Sequence, residues 1–429
     1  MTSEERRENR YKRRKEKREK KEYEFTIQFD DLYNVSSIDV LRNSAYKARK
    51  SSKWKTSTQK FHINLLKNCI VYSDKLNNEK SISTNKVQFT LNERGKIRNI
   101  TSVGFSEKVI QKALSQNILI PILSNSLIYD NGASIENKGY DFSVNRLKEH
   151  LRSYYRSNNF NNDGWVLLID LKNFFASIPH EILKEKIAEK IHDEKVLSLI
   201  YSIIDENKNG LPLGYETGQI EAVYYPSSVD HFIKDQKSFK YYGRYMDDSY
   251  VIHSDKEKLV DLRNDLIDEY GKLGLNLNLN KTKIIKLNDP QFKFLKNRVK
   301  LDEKGKVVIK PDKKAIKRIR VKLGKFKKMY DNNEITFEEV NNYYQSVRGF
   351  YSRKNCYYNI KEFDRLFFEY FVKDKKEEKP TNKKKPKRNI EQFNSIQDEC
   401  RFSCEEIENN FYDENKLKRN KAILSINSI

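Results

Sequence analysis

Disulfides, membrane spans and export signals are what this sequence lacks. Its 429 residues hold four cysteines, Cys69, Cys356, Cys400 and Cys404. They are too few and too scattered for a disulfide framework, so free thiols are expected. Cys400 and Cys404 form a C-x3-C pair, but no second pair of Cys or His stands near it to complete a tetrahedral zinc site. No apolar run approaches the roughly 20 residues that a bilayer crossing needs. The stretch from Arg6 to Lys21 is almost wholly charged, where a signal peptide would carry its apolar segment. The expectation is a cytoplasmic protein without membrane contact. Hydrophobic residues are also sparse, at 37%, while charged residues reach 34%, which predicts a folded body with strongly solvated surfaces or tails. Aromatics at 12% argue against wholesale disorder.

Acids are the other shortage. Lys and Arg number 84 against 61 Asp and Glu, a formal net charge of +23, and such a surplus repels itself unless a polyanion offsets it. Nucleic acid is the first candidate partner. The length leaves room for one multi-lobed enzyme or roughly two to three ordinary domains, and no internal repeat is visible. Residues 4–22 are good helix formers with no apolar face; a basic arm over 1–24 would be either a solvated tail or a phosphate contact. Residues 373–388 are charged and broken by proline, as a linker would be, and a C-terminal tail of residues 390–429 follows.

Local patterns predict the elements between these ends. Val87 to Ile100 alternates around Arg94-Gly95, a hairpin. Ser106 is the expected N-cap of a helix carrying Val109, Ile110, Ala113 and Leu114. Residues 144–156 read as a basic amphipathic helix. The apolar run Trp165 to Ile169 reads as a buried strand delivering Asp170 at its C-terminal end. A helix after Pro179 should turn Ile182, Leu183, Ile187 and Ile191 inward. A Gly/Pro-punctuated loop at Asn209 to Gly214 precedes another helical stretch through Asp230 and Phe232. Two strands are expected over Phe239 to His253, with Asp247-Asp248 where they turn. Helices follow over 257–273, with Leu259, Leu262, Leu266 and Tyr270 on one face, and over 313–329, where Ile316, Ile319, Leu323 and Phe326 form a single stripe on a strongly basic helix. More helix is expected to Phe371.

Three carboxylates thus fall on two apolar strands. Neighbouring strand residues face opposite ways, so Asp247 and Asp248 can both approach Asp170 only at a hairpin tip. Such a cluster repels itself without a cation. Magnesium favours a few carboxylates plus substrate phosphates, and two such ions about 4 Å apart stabilise the attacking and leaving oxygens of a phosphoryl displacement. That chemistry is nucleotidyl transfer. A lone Asp at a strand end would be read as a turn former; three together are not.

Tyr245-Met246-Asp247-Asp248 resembles the YxDD box of reverse transcriptases, and Asp170 to His180 resembles their first catalytic motif. The resemblance spans residues 86–372 and implies an α+β right-hand polymerase: an N-terminal region and fingers over 25–150, a palm with an antiparallel sheet over 151–300, and a helical thumb over 301–372. It implies an RNA-directed DNA polymerase using two Mg2+ ions, replaceable by Mn2+, held by Asp170, Asp247 and Asp248. Its partners would be an RNA template, dNTPs and the DNA product. By the same resemblance Lys96 and Arg98, in the hairpin, would grip the triphosphate, where Arg can bind bidentately. Phe175 would be the aromatic sugar gate that excludes a ribose 2′-hydroxyl, with Phe174 in the core. Lys281, in Asn280-Lys281-Thr282-Lys283, would sit near the departing pyrophosphate as an acid. Gln291 to Leu295 resembles the primer-gripping strand, although Lys296 stands where the family has Gly. Tyr245, Arg348 and Lys317 would contact template and primer, the last two from a thumb that tracks the duplex by its phosphates and shape.

The loop Gly210 to Gln219 is similar to the family loop that shapes the template and incoming base pair, so Gln219 would lie against the nucleotide. Leu213 and Gln219 bring it nearer to diversity-generating retroelement and unassigned bacterial enzymes than to retroviral or group II intron ones, and Gly218 departs from both. With no His-Asn-His nuclease or zinc-bearing motif in view, the resemblance points to a bacterial enzyme of antiviral (phage) defence that copies a dedicated noncoding RNA. A diversity-generating retroelement enzyme and a catalytically silent RNA-binding scaffold are the alternatives. Protein-primed or untemplated synthesis, a homo-oligomer and a partner protein stay open.

Overall fold

A computed structural model describes residues 20–373, apart from 94, 95, 290, 291, 353 and 355, together with 13, 16 and 17. The pair Cys400 and Cys404, residues 374–388 of the expected linker, the C-terminal tail and most of the N-terminal arm lie outside the described residues. Cys69 and Cys356 are buried free thiols. No helix among the described residues is long and apolar enough to cross a membrane. The chain divides into two compact units: the described residues up to Arg146 with Leu167–Ile284, and Leu147–Val166 with the described residues from Ile285 on.

Alternation builds the sheets of the first unit. Val87–Glu93 (β1) and Lys96–Ser102 (β2) pair antiparallel, with Glu93 opposite Lys96 at the turn, as the alternation predicts. The helix Phe105–Leu114 follows, but its N-cap is Gly104 and Ser106 lies inside its first turn. The cause is distant in sequence: Gly104 N–H donates to the Thr84 hydroxyl at 2.7 Å, and that residue is itself held by Glu107. A side chain at Gly104 would place its Cβ 2.7 Å from the Thr84 oxygen.

The expected buried strand forms as Trp165–Ile169 (β3), and the expected hairpin as Tyr241–Tyr245 (β4) and Asp248–His253 (β5). With Lys283–Lys286 (β6) they make a four-stranded sheet in the order β4-β5-β3-β6, so the strand that leads into Asp170 lies beside the strand starting at Asp248. The helix predicted over 144–156 begins earlier, at Tyr140, and runs to Ser157. After Pro179 the helix His180–Ala188 buries Leu183 and Ile187; Ile182 is only half-buried, and Ile191 is buried beyond the helix end. Helix Lys256–Lys272 buries Leu259, Leu262, Leu266 and Tyr270, the face read from the sequence.

In the second unit Lys293–Phe294 (β7), Asn297–Leu301 (β8) and Val307–Pro311 (β9) form an antiparallel sheet. Leu295 and Lys296 close the β7–β8 turn with φ of 46° and 60°. Such a two-residue turn suits glycine, and lysine occupies it here. Three helices, Lys313–Asp331, Phe337–Ser352 and Tyr357–Phe371, share one core. The first contributes Ile316, Ile319, Leu323 and Phe326, the predicted stripe, and leaves Lys313, Lys314, Lys317, Arg318 and Lys325 exposed. Tyr344 stacks on Phe367 at 4.1 Å. Mixed helices and antiparallel sheets make this an α+β protein, as expected.

Candidate nucleotidyl-transfer site

The β4–β5 hairpin turns in two residues, Met246 and Asp247, since Tyr245 already pairs with Asp248. Met246 takes φ of 54°, a left-handed conformation usually left to glycine in such turns. Neighbouring groups hold it there. Arg244, 2% exposed, donates from Nη1 to the Met246 carbonyl at 3.3 Å. Its Nη2 reaches the Val223 carbonyl at 2.8 Å and Asp230 at 2.6 Å, and its Nε donates to Asp230 at 2.8 Å. Asp230 is fully buried and also accepts from the Tyr242 hydroxyl at 2.5 Å. Burial opposes the guanidinium charge, yet the Asp230 carboxylate raises its pKa above the ordinary value. The Arg244 backbone is tied as well: its N–H donates to Asp130 O, and its carbonyl accepts from Gly132 N–H, both at 3.1 Å. Arg244 therefore links the turn to the segment Asp130–Gly132 and to the helices Thr217–Tyr224 and Ser227–His231.

Asp170 sits just past the end of β3, largely buried, wrapped by residues 276–282. Its backbone N–H donates to the Thr282 hydroxyl at 3.3 Å and its carbonyl accepts from Asn278 N–H at 2.8 Å. Asn278 Nδ2 donates to one carboxylate oxygen at 3.0 Å. Lys281 Nζ lies 2.6 Å from one oxygen and 2.8 Å from the other. Burial pushes the Asp247 carboxyl above the ordinary range. A bond to its own backbone opposes the rise, the Asp170 charge adds to it, and Lys281 and Arg98 counter it. Asp170, Asp247, Lys281 and Arg98 thus share one electrostatic environment.

Among the described residues no three His, Cys, Asp or Glu side chains are grouped to hold a metal ion. What Asp170 faces is a cation, the Lys281 ammonium, at the distance of a charge-assisted hydrogen bond. A carboxylate with a cation across both oxygens, beside a second carboxylate raised by burial and by the first one's charge, is a donor set whose chemistry suits a divalent ion.

The loop before helix Thr217–Tyr224 is fitted onto these elements through its glycines. Gly210 has φ of +63°, and a Cβ there would lie 2.5 Å from the Phe175 carbonyl. Leu211 N–H donates to that same carbonyl at 2.8 Å. Gly214, φ +117°, would bring a Cβ within 2.5 Å of Thr101 O on β2, and Thr101 N–H donates to Leu213 O at 3.0 Å. The loop therefore fixes the backbone of Phe175 on one side and the β1–β2 hairpin on the other. Phe174 is buried and Phe175 half-buried, in an edge contact at 5.6 Å. Gln219 is exposed on its helix and Arg98 is exposed on β2. Lys96 begins β2, but its side chain lies outside the described residues. Tyr245 and Asp248 are half-buried. In the second unit Lys317 is exposed, and Arg348 is paired with Asp364 at 2.9 Å.

Several residues of the site were not assigned a role from the sequence. Thr282 falls inside the stretch Asn280 to Lys283 and Asn278 just before it, without a sign of which atoms they hold. Asp230 and Arg244 read as a helix residue and a flank of the YxDD box. Apart from these, Glu221 on helix Thr217–Tyr224, 1% exposed with Oε1 unpartnered, has its carboxyl pushed up to about 8 by burial.

The reverse transcriptase (RNA-dependent DNA polymerase) family model matches residues 84–299, half of the chain. A putative COX1/OXI3 intron 2 protein of Saccharomyces cerevisiae is 26% identical over 211 residues, 45% of this chain and 23% of that protein, so the chain spans under a quarter of that relative's length. Among solved structures, telomerase from Candida albicans in complex with a TWJ fragment of telomeric RNA aligns at a TM-score of 0.46, 13% identity, 76% of this chain and 60% of that one. Apo telomerase from Candida tropicalis, truncated from the C-terminal domain, aligns at 0.43, 16% identity, 54% of this chain and 56% of that one. The match across half of the chain, covering the hairpin, the Asp170 strand and the YxDD turn, makes this protein a member of the reverse transcriptase (RNA-dependent DNA polymerase) family.

Proposed function

We propose that the protein is an RNA-directed DNA polymerase that adds dNTPs to a 3′ end at Asp170, Asp247 and Asp248. The observation carrying this reading is the shared environment of Asp170 and Asp247 at the two-residue turn. Those carboxylates would hold two magnesium ions, with manganese as a substitute. The ions would supply activation of the attacking hydroxyl and neutralisation of the leaving phosphate. The chain's own groups do the positioning. Arg98, whose charge reaches Asp247, would take the triphosphate bidentately together with Lys96. Phe175, with its backbone held by the Gly210 loop, would present its ring to the sugar and exclude a 2′-hydroxyl. Gln219 would meet the nascent base pair from its exposed helix face. Lys281 would hand its charge from Asp170 to the phosphates. Tyr245 would lie at the primer end, while Lys317 and Arg348 would follow the duplex by its phosphates. In this reading β1, β2 and the preceding helices are fingers, the four-stranded sheet is palm, and the three helices from Lys313 are thumb.

Primer extension tests the activity. With an RNA template, a DNA primer and magnesium, dNTPs should be incorporated in preference to NTPs. Asp247→Ala should abolish incorporation while RNA binding persists; equal extension by the variant would overturn the assignment. The biological setting proposed is antiviral defence through copying of one dedicated noncoding RNA, on the strength of the Gly210–Gln219 loop variant. Sequencing of the nucleic acid that co-purifies should return one enriched small RNA and its cDNA; a random RNA profile would count against it.

A further inference from the structure

The Lys281 ammonium stands where a cation opposite Asp170 would stand. It bridges both carboxylate oxygens, at 2.6 and 2.8 Å, and its charge also reaches Asp247. Asp170 does not need it for orientation. Thr282 and Asn278 fix the backbone on both sides of the residue, and Asn278 Nδ2 fixes one oxygen. The Lys281 side chain is itself 53% exposed on a flexible four-carbon stem, so it can leave while the carboxylate stays in place. A divalent ion that takes the position bridging the two oxygens excludes the ammonium from that position, and the repulsion between a double and a single positive charge at contact distance exceeds the ammonium's own attraction to one carboxylate.

We propose that Lys281 is the built-in counter-ion of this carboxylate pair, and that a divalent cation binds only by displacing its ammonium. Metal entry and release of Lys281 toward solvent are then one event. Without metal, the protein keeps its anionic turn neutralised and stays folded. With metal, the freed ammonium needs a new anionic partner, and a triphosphate arriving beside the same carboxylates supplies it. The inference rests on the reading of Asp170 and Asp247 as metal-holding groups.

Manganese binding to the full chain without nucleic acid, followed by the loss of the free-ion electron paramagnetic resonance signal, tests it without recourse to activity. Lys281→Met should tighten Mn2+ binding on the order of tenfold by removing the competing charge, and should lower the melting temperature of the metal-free protein. Lys281→Arg, which keeps a cation at the carboxylate, should bind Mn2+ no more tightly than wild type. If Lys281→Met does not fold, Lys281→Gln takes its place. Asp170→Asn/Asp247→Asn sets the baseline. Wild-type binding that exceeds this baseline but is unchanged or weakened in Lys281→Met overturns the counter-ion assignment alone. Wild type and Lys281→Met both at the baseline overturn the metal-site reading and the inference with it.

Discussion

Replacing Arg244 with Met removes one guanidinium and strands three acceptors. Asp230, with no exposure, would keep the Tyr242 hydroxyl but lose the guanidinium; the carbonyls of Val223 and Met246 would each lose a donor. Breaking a buried ion pair from one side costs about 3–5 kcal/mol, because a charge is left without a partner in a medium that cannot solvate it. That is a large part of the roughly 5–15 kcal/mol that stabilises a typical domain. Asp230→Leu should cost a similar amount by stranding the guanidinium. Removing both charges with residues of similar volume is close to neutral, so Arg244→Met/Asp230→Leu should recover at least half of the summed loss. Arg244→Lys should not rescue, since a single ammonium cannot span the carboxylate and two carbonyls. Hydrogen-exchange protection of β4 and β5 amides through a urea titration reads the unit that carries the pair. If each single variant costs under about 1 kcal/mol, as an exposed pair would, or if the double variant is no better than the sum, Arg244 does not support the turn in this way.

Other consequences follow from the helix Thr217–Tyr224. Burial holds the Glu221 carboxyl near pKa 8 against 4.5 for the free group. Its folded-state preference for the proton is therefore fully favourable below about 4.5 and is lost as pH rises toward 8. Glu221→Gln should gain on wild type by about 4 kcal/mol between pH 5 and pH 8.5; denaturation midpoints with the same pH slope in both proteins would contradict the buried carboxyl with its raised pKa. At Gly218, a Cβ would meet nothing closer than 3.8 Å. Gly218→Ala should stabilise by about 0.5–1 kcal/mol through helix propensity, and a loss of stability in thermal melts would show that the site needs the glycine.

Elements whose cause is local were legible before any coordinates. The strand Trp165–Ile169 follows from a continuous apolar run, and the stripe Ile316, Ile319, Leu323 and Phe326 from helical spacing. The hairpin follows from an acidic pair between two alternating segments, but it turns one residue earlier than the pair suggests, at Met246-Asp247, because Asp248 already pairs with Tyr245. What was not legible depends on partners far along the chain. Ser106 has the chemistry of an N-cap, but Thr84 sets the helix start at Gly104 from 20 residues upstream. Arg244 read only as a flank of the YxDD box; its pairing with Asp230 needs the hairpin to fold back on the preceding helix. The position of Lys281 across both oxygens of Asp170 likewise depends on the Asn276–Thr282 segment closing over β3, and Asn278 carried no motif to announce it. The turn at Leu295 and Lys296 takes two left-handed residues without a glycine, which local sequence preference does not announce.

The claim on which everything else depends is that Asp170, Asp247 and Asp248 form one metal-holding pocket. The most direct measurement is anomalous diffraction from crystals of the protein with primer, template, a non-hydrolysable dNTP and Mn2+. The account predicts two manganese peaks about 4 Å apart, contacting Asp170, Asp247 and Asp248, with the Lys281 ammonium no longer on Asp170. Nucleotide bound with no manganese at these carboxylates, or manganese bound elsewhere in the chain, would contradict it.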